Sequence, residues 1–130
     1  MIENGKNWAS PSLLPSYAEA CDRAKHQIDR NTFDSQDQEW LDEIMAIMSE
    51  VYSVPANSRI RISGEWLPSE TVKSVFAKLT DMHIKTVIMQ YNSVREPIRN
   101  PKAYMRTLLY NSVFSDTAFW QNRVRSDGVM

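Results

Sequence analysis

One run of hydrophobic positions in the middle of the chain has the spacing of an amphipathic helix. Its large side chains are Trp40, Leu41, Ile44, Met45, Met48, Val51 and Tyr52. Side chains that recur every three or four residues lie on one face of an α-helix. Ser35 and Gln38 precede this run with the three-residue spacing of a capping box. We therefore predict a helix that begins near Ser35 and ends before Pro55, and we expect its apolar face to organise the core.

The same spacing predicts further helices on both sides of this segment. A weakly apolar helix is expected from Tyr17 to Asp29. After Pro68 and Ser69, a helix carries the apolar side chains Val72, Val75, Phe76 and Leu79. A break at Thr80 and Asp81 leads to another helix, whose apolar side chains are Ile84, Val87, Ile88 and Tyr91. These two helices could form a helix-turn-helix reader of DNA, with His83, Lys85, Thr86 and Gln90 facing outward, but ordinary helix packing is favoured because the turn lacks a glycine.

The last third of the chain predicts two helices. Asn100 is a suitable N-cap, and Pro101 suits the first helical position. This helix is expected to end near Asn111 to Val113. Ser115 then caps a last helix that runs to about Arg125, and Gly128 ends it.

A period of two, instead of the helical period, marks the segment between residues 59 and 67. Arg59, Ile60, Arg61 and Ile62 alternate in polarity, and Ser63 and Gly64 suit a tight turn into Glu65, Trp66 and Leu67. The two isoleucines should face the core and the two arginines the solvent. The prediction is a mainly α fold: a compact helical domain of five to six helices with one short β-hairpin. Residues 17–130 form this single domain, and residues 1–16, rich in turn residues, form a flexible tail or linker.

Charge divides the chain into two unlike halves. Residues 1–50 contain four Lys/Arg and ten Asp/Glu, a balance of −6, whereas residues 51–130 contain eleven and six, a balance of +5. The asymmetry indicates either a basic face for a polyanion or two halves that neutralise each other within one fold.

The second half also resembles a known family. The stretch RIRISGEWLPSETVKSVFAKL (residues 59–79), then His83 and Ile84, and above all IRNPKAYMRTLLYN (residues 98–111) with Val124 and Asp127, resemble the C-terminal accessory domain of the replication initiator A proteins of Gram-positive plasmids and integrated elements. The resemblance covers roughly residues 26–130. It implies a module of plasmid replication initiation, which in that family follows a winged-helix DNA-binding domain, so we expect either a domain of a longer protein or a free-standing relative. The chain also has Ser126 before Asp127 where that family usually has histidine.

A cluster of cations supplies the candidate binding residues: Arg95, Arg99, Lys102 and Arg106, with Arg123 and Arg125 near them in sequence. Lys102 and Arg106 are four residues apart and share a helix face. The N-terminal end of a helix together with arginines is an ordinary way to hold a phosphate. Alternatively, carboxylates of the chain itself pair with these cations, the candidates being Asp42, Glu43, Glu50 and Glu96. Nearby aromatic residues, Tyr104, Tyr110, Phe114, Phe119 and Trp120, suit either base stacking or core packing.

Residue types that do chemistry are sparse. Cys21 is the single cysteine, and His26 and His83 are the only histidines. None of these residues lies at a recognised metal-ligand or nucleophile spacing. We therefore expect no catalytic residues, no metal and no cofactor, so that the protein is not an enzyme. The longest apolar runs are too short to span a bilayer, and the start of the chain has no secretory signal, so we expect a cytoplasmic protein without membrane contact.

The sequence is compatible with two functions. The first is a DNA-binding or complex-assembling module of a replication initiator, whose partners are DNA and the parent initiator domain. The second is a protein adaptor that recruits a host replication protein without touching DNA, through an apolar patch around Trp66, Trp8 or the last helix.

Overall fold

The computed structural model describes the backbone of residues 17–129 and the side chains of residues 17–115. Within that part of the chain there are five α-helices and one antiparallel hairpin. They are α1 (Tyr17–Gln27), α2 (Gln38–Ser53), β1 (Arg59–Ile62), β2 (Glu65–Pro68), α3 (Ser69–Phe76), α4 (Asp81–Ser93) and α5 (Pro101–Val129). The predicted mainly α fold with one short hairpin is therefore confirmed. The predicted tail, residues 1–16, lies outside the described residues.

Helix α2 is the centre of the core. Leu41, Ile44 and Met48 have no exposed surface, and the helix contacts α1, α3, α4 and α5. Ile47 and Ser49 are buried as well, so the buried surface is wider than the predicted apolar run. Full burial of a large apolar side chain contributes roughly 1.5–3 kcal/mol. Several such side chains on one helix explain why the other helices assemble around it.

The capping box predicted at the start of α2 is wrong. Ser35 begins a single 3-10 turn, and α2 begins at Gln38 with no side-chain cap at Asp37. The Gln38 amide nitrogen instead donates to the carbonyl oxygens of Arg30 and Phe33, at 3.3 and 3.2 Å. Since that amide is engaged with the preceding loop, it stabilises the connection from α1 and not the start of α2.

A second glutamine joins three helices. The Nε2 atom of Gln27 donates to the carbonyl oxygens of Phe76 and Leu79, at 2.8 and 3.0 Å. Its Oε1 atom accepts a hydrogen bond of 2.6 Å from the Tyr52 hydroxyl. The last carbonyls of a helix have no partner within the helix, so the end of α1 satisfies the end of α3 and is itself held by α2.

The hairpin forms as predicted. Ile60 pairs with Leu67 and Arg61 with Trp66. Ile60 and Ile62 are buried, and both arginines of β1 are exposed. The two turn residues, Ser63 and Gly64, have φ angles of 54° and 83°, which is the pair of positive values that a two-residue hairpin turn of type I′ requires.

The last third differs from its prediction, because α5 is one helix from Pro101 to Val129 instead of two. The polar residues around Asn111 do not break it. The Ser112 hydroxyl donates to the Leu109 carbonyl at 2.7 Å, so this buried side chain is satisfied inside the helix. Ser115 is therefore an interior residue and not a cap, and Gly128 does not end the helix. The predicted Asn100 cap is confirmed, since its side chain accepts from the Ala103 backbone N–H at 3.2 Å.

Helices α3 and α4 both contact α2 and α5. Thr80 caps α4 through a reciprocal box in which its hydroxyl accepts from the His83 N–H and the His83 ring accepts from the Thr80 N–H. The ammonium of Lys85 lies 5.3 Å from the centre of the Phe33 ring. Two of the four outward polar groups expected on a DNA-reading helix thus take part in the fold itself.

Candidate functional site

The predicted cations lie where α4 gives way to α5. Arg95 and Arg99 are exposed residues of the connection between the two helices. Lys102 and Arg106 lie on the first two turns of α5. The structure therefore places these four side chains along one short stretch of the chain, although their surroundings differ.

Arg123 and Arg125 belong to the distal part of the same helix. Helix α5 has 29 residues and is about 44 Å long, so these two positions are several turns from the helix start. Their side chains lie outside the described residues, as do those of Phe119 and Trp120.

Lys102 has a partner in the acidic half of the chain. Its Nζ atom lies 2.6 Å from Oε2 of Glu50 on α2, and the two side chains are 56% and 41% exposed. An exposed pair of this kind contributes about 0–1 kcal/mol to stability. The alternative predicted from the sequence, that the chain's own carboxylates compensate its cations, therefore applies to Lys102.

Arg106 joins α5 to the hairpin instead. Its Nε atom donates to the carbonyl oxygen of Arg61 at 3.3 Å. One residue further along α5, the Thr107 hydroxyl accepts a hydrogen bond of 3.0 Å from the backbone N–H of Ser63 in the turn. These two bonds hold the hairpin against the start of α5 and bring the Arg61 backbone to the base of the Arg106 side chain.

The outer face of the hairpin carries two arginines and a tryptophan. The register places Arg61 opposite Trp66 and Arg59 opposite Pro68, and side chains directly opposite each other in an antiparallel pair lie on the same face. The guanidinium of Arg61 is 5.6 Å from the centre of the Trp66 ring, within the range of a cation–π contact. Trp66 is nevertheless 57% exposed, so the residue remains largely accessible to solvent.

A shallow groove of about 580 Å³ separates the hairpin from the start of α5. Its lining residues are Arg61, Ser63, Gly64, Asn100, Ala103, Tyr104, Arg106 and Thr107. The described groove contains two arginines and no carboxylate. Its charged side chains are therefore all cationic, a composition that suits an anion.

The aromatic residues near the cations contribute mainly to packing. The Tyr91 ring contacts Trp40 and Tyr104, with ring centres 4.7 and 5.9 Å apart, and so links α2, α4 and α5. The ring centres of Tyr110 and Phe114 lie 5.2 Å apart on α5, with the rings tilted by 48°, and Phe114 is 51% exposed. Tyr104 and Tyr110 are only partly exposed, so they contribute to packing, as one of the two predicted alternatives stated.

A different groove, rich in carboxylates, lies along α2. Its lining residues are Glu39, Trp40, Asp42, Glu43, Ala46, Ile47, Glu50 and Lys102. Asp42 forms an ion pair with Arg30, and Glu50 forms the pair with Lys102 described above. Two carboxylates of the acidic groove are thus paired with cations of the chain itself. The arginines of the groove beside the hairpin have no carboxylate partner among the described residues.

Candidate groups for catalysis are not gathered in the described part of the chain. No three His, Cys, Asp or Glu side chains among the described residues are placed to hold a metal ion. The Nδ1 atom of His26 lies 2.7 Å from the carbonyl oxygen of Asp22, and His83 belongs to the cap of α4. Burial raises the pKa of Tyr52, against the opposing effect of the Arg23 guanidinium, which lies 4.0 Å from the ring centre.

Sequence reasoning named Arg95, Arg99, Lys102 and Arg106 but did not assign Arg59, Arg61 and Trp66 to the cationic site. A signal for the latter residues was present. A two-residue turn at Ser63 and Gly64 fixes the register of the strands, and that register alone puts Arg61 across from Trp66. The contact between the hairpin and α5 could not be read from any local pattern, because it joins residues more than forty positions apart.

No helix in the described residues has both the length and the apolar character needed to cross a membrane.

Comparison with known proteins assigns the chain to a family. Comparison with curated proteins finds no match, and comparison with solved structures also finds none. A family model described as a family of unknown function (DUF6017) matches residues 3–129, and the chain therefore belongs to this family.

Proposed function

We propose that this protein is a non-catalytic module that binds nucleic acid through the basic surface at the start of α5, as part of a plasmid-type replication initiation complex. The observation that carries the proposal is the hydrogen bond from Arg106 to the Arg61 carbonyl. It joins Arg106 of α5 to the hairpin. Together with the two exposed arginines of the connection before α5, these cations form what we call the basic surface: Arg59, Arg61, Arg95, Arg99 and Arg106.

Charge supports this role. Within residues 17–115, no ion pair links Arg59, Arg61, Arg95, Arg99 or Arg106 to a carboxylate of the described chain. Arg30 and Lys102, in contrast, have carboxylate partners. An arginine without a carboxylate partner keeps its charge available for phosphate, which it can bind through two parallel N–H groups.

The replication context rests on the resemblance of residues 26–130 to the accessory domain of replication initiator A proteins. Such a module would work beside a separate DNA-binding domain. Its affinity for DNA alone is then expected to be modest, because the basic surface adds contacts to a complex that other domains position.

Salt dependence provides the test. Fluorescence anisotropy would measure binding of a labelled duplex and a labelled single strand at two salt concentrations. If about four phosphates are neutralised, the slope of log affinity against log salt should be about −3 to −4 for the duplex. The double variant Arg99→Ala plus Arg106→Ala should reduce this slope by about 2.

A matched control removes the same charge elsewhere. Lys25→Ala plus Lys78→Ala changes two exposed cations near the ends of α1 and α3, where Gln27 joins those helices. This control should leave the slope unchanged. Absence of salt-dependent binding to either probe would remove the proposal, and equal losses in both double variants would show that only overall charge matters.

A protein adaptor is the second candidate, and one observation favours it. Met82 and Met89 are 70% and 63% exposed, and they lie seven residues apart on α4, hence on the same face. An exposed pair of flexible apolar side chains is typical of a protein-docking surface. Recovery of a host replication protein by the wild type, but not by Met82→Ser plus Met89→Ser, in the presence of nuclease would support this candidate.

A further inference from the structure

We propose that the outer face of the hairpin is a binding platform for single-stranded nucleic acid, in which Trp66 stacks on a base while Arg59 and Arg61 bind the flanking phosphates. This inference rests on the proposed function and gives it a ligand class. It follows from the position of one aromatic ring beside two cations on an exposed sheet face.

The geometry places the three side chains together. Arg61 lies directly opposite Trp66 in the register, and Arg59 lies two residues before Arg61 on the same face of β1. The guanidinium of Arg61 lies 5.6 Å from the centre of the ring, and the residue is still 57% exposed. An indole with this much exposed surface is able to receive a second flat group.

The charge of this face suits a polyanion. Glu65, the one carboxylate in the two strands, is opposite Ile62 and so belongs to the other face of the sheet. Arg106 extends the positive charge into the adjoining groove beside Asn100. A ligand that leaves Trp66 towards α5 therefore meets a third arginine.

Single strands fit this arrangement better than a duplex does. Every base has a flat π-face, and stacking on an aromatic side chain is independent of sequence. In a duplex those faces are occupied by neighbouring base pairs, so an exposed indole has nothing to stack on unless the bases are separated. A four-residue strand is about 13 Å long, which suits a short site at the lower end of the usual range of about 4–16 nucleotides.

The experiment uses the full chain and a labelled oligothymidine of about 12 nucleotides. Trp66→Ala should weaken its binding about tenfold, a change of about 1.4 kcal/mol, because the stacked base loses its partner. Trp66→Phe should restore most of the affinity, since phenylalanine keeps an aromatic face. Binding of a duplex should change less than about twofold in both variants, because the arginines remain.

Two controls separate stacking from other effects. Tyr17→Ala removes an exposed aromatic side chain of α1 (50% exposed) and should leave oligothymidine binding unchanged. Inorganic polyphosphate, which has charge but no bases, should bind Trp66→Ala as well as it binds the wild type.

The outcomes distinguish this inference from the proposal on which it rests. Salt-dependent binding of both nucleic acids that Trp66→Ala leaves intact would overturn the platform and leave the proposed function standing. No binding of either nucleic acid would overturn both. Polyglutamate binding with the same dependence on Trp66 would make the face a docking surface for an acidic protein and would also overturn the platform.

Discussion

Two regions of the molecule differ in what their polar side chains bind. Around α1 and α2 these side chains have partners within the fold, whereas around the hairpin and the start of α5 several of them face solvent. In the first region, Gln27 satisfies two carbonyls and a hydroxyl, and Asp42 pairs with Arg30. In the second, hydrogen bonds hold the backbone of the hairpin, while Arg59, Arg61 and Trp66 point away from the core.

The difference separates residues that build the fold from residues that are available to a partner. A polar group with an internal partner lowers the free energy of the folded state, and its loss is measured as instability. An exposed arginine or tryptophan contributes little to folding, and its loss is measured as reduced binding. Variants around α1 and α2 should therefore change stability, and variants around the hairpin should change binding.

The largest effect is expected in the core. Phe76 has no exposed surface, and Phe76→Ala should lower the free energy of unfolding by about 3–5 kcal/mol because it leaves a cavity. Urea denaturation would measure it. Trp66→Ala removes a larger side chain but should cost less than about 1 kcal/mol, because that residue is mostly exposed. Equal losses of unfolding free energy in the two variants would contradict the distinction between the two regions.

A polar core variant comes next. Gln27→Ala leaves the carbonyls of Phe76 and Leu79 and the hydroxyl of Tyr52 without this partner, and should cost about 1–3 kcal/mol in urea denaturation. The exposed residue Gln36 provides the control: Gln36→Ala should change stability by less than about 0.5 kcal/mol. A neutral result for Gln27→Ala would mean that water replaces the amide.

Alkaline pH should lower the free energy of unfolding through Tyr52, which lies in the same core region. Burial raises the pKa of Tyr52 above its ordinary value of 10.0, so the folded state holds the phenolic proton more tightly than the unfolded state does. The stabilisation is full below pH 10 and is lost as the pH rises through the folded-state pKa, with a slope of at most about 1.4 kcal/mol per pH unit. Urea titrations between about pH 8 and pH 11 would measure the slope.

A phenylalanine variant isolates this contribution. Tyr52→Phe should reduce the loss of stability at alkaline pH, at a cost of about 0.5–1.5 kcal/mol at neutral pH for the hydrogen bond to Gln27. Tyr104→Phe is the matched control. An alkaline slope that Tyr104→Phe reduces as much as Tyr52→Phe does would contradict the assignment to Tyr52.

The smallest expected effect lies at the border between the two regions. Glu50→Gln removes the carboxylate that pairs with Lys102. Stability should change by less than about 1 kcal/mol, since the pair is exposed. Duplex binding should strengthen about two- to threefold, because Lys102 then adds its charge to the basic surface. The control Glu43→Gln changes an exposed carboxylate of the same helix, and an equal gain there would indicate an effect of net charge alone.

Much of the fold could be predicted from local patterns. The spacing of Leu41, Ile44 and Met48 predicts the buried face of α2, and the pair Ser63 and Gly64 predicts the turn of the hairpin. The break predicted in α5 fails because a serine such as Ser115 has the same sequence signature at the start of a helix and inside one. The continuous helical backbone from Pro101 to Val129 distinguishes the two.

The candidate site was less accessible to such reasoning. The cations near Asn100 are evident from the sequence, but the partner of Lys102 is a glutamate 52 residues earlier, and many carboxylates compete for that role. The position of Arg106 beside Arg61 depends on how α5 crosses the hairpin. Tertiary packing determines both contacts, and no periodic pattern in the local sequence predicts them.

The two hydrogen bonds from Ser63 and Arg106 have an energetic consequence for recognition. An isolated two-stranded hairpin is only marginally stable in water, and a ligand that had to order it would lose affinity to that entropy cost. Here α5 already fixes the hairpin through Thr107. In the platform we propose, the spacing of Arg59, Arg61 and Trp66 is thus set before a ligand binds, and we expect a substitution at Thr107 to lower affinity by loosening the hairpin.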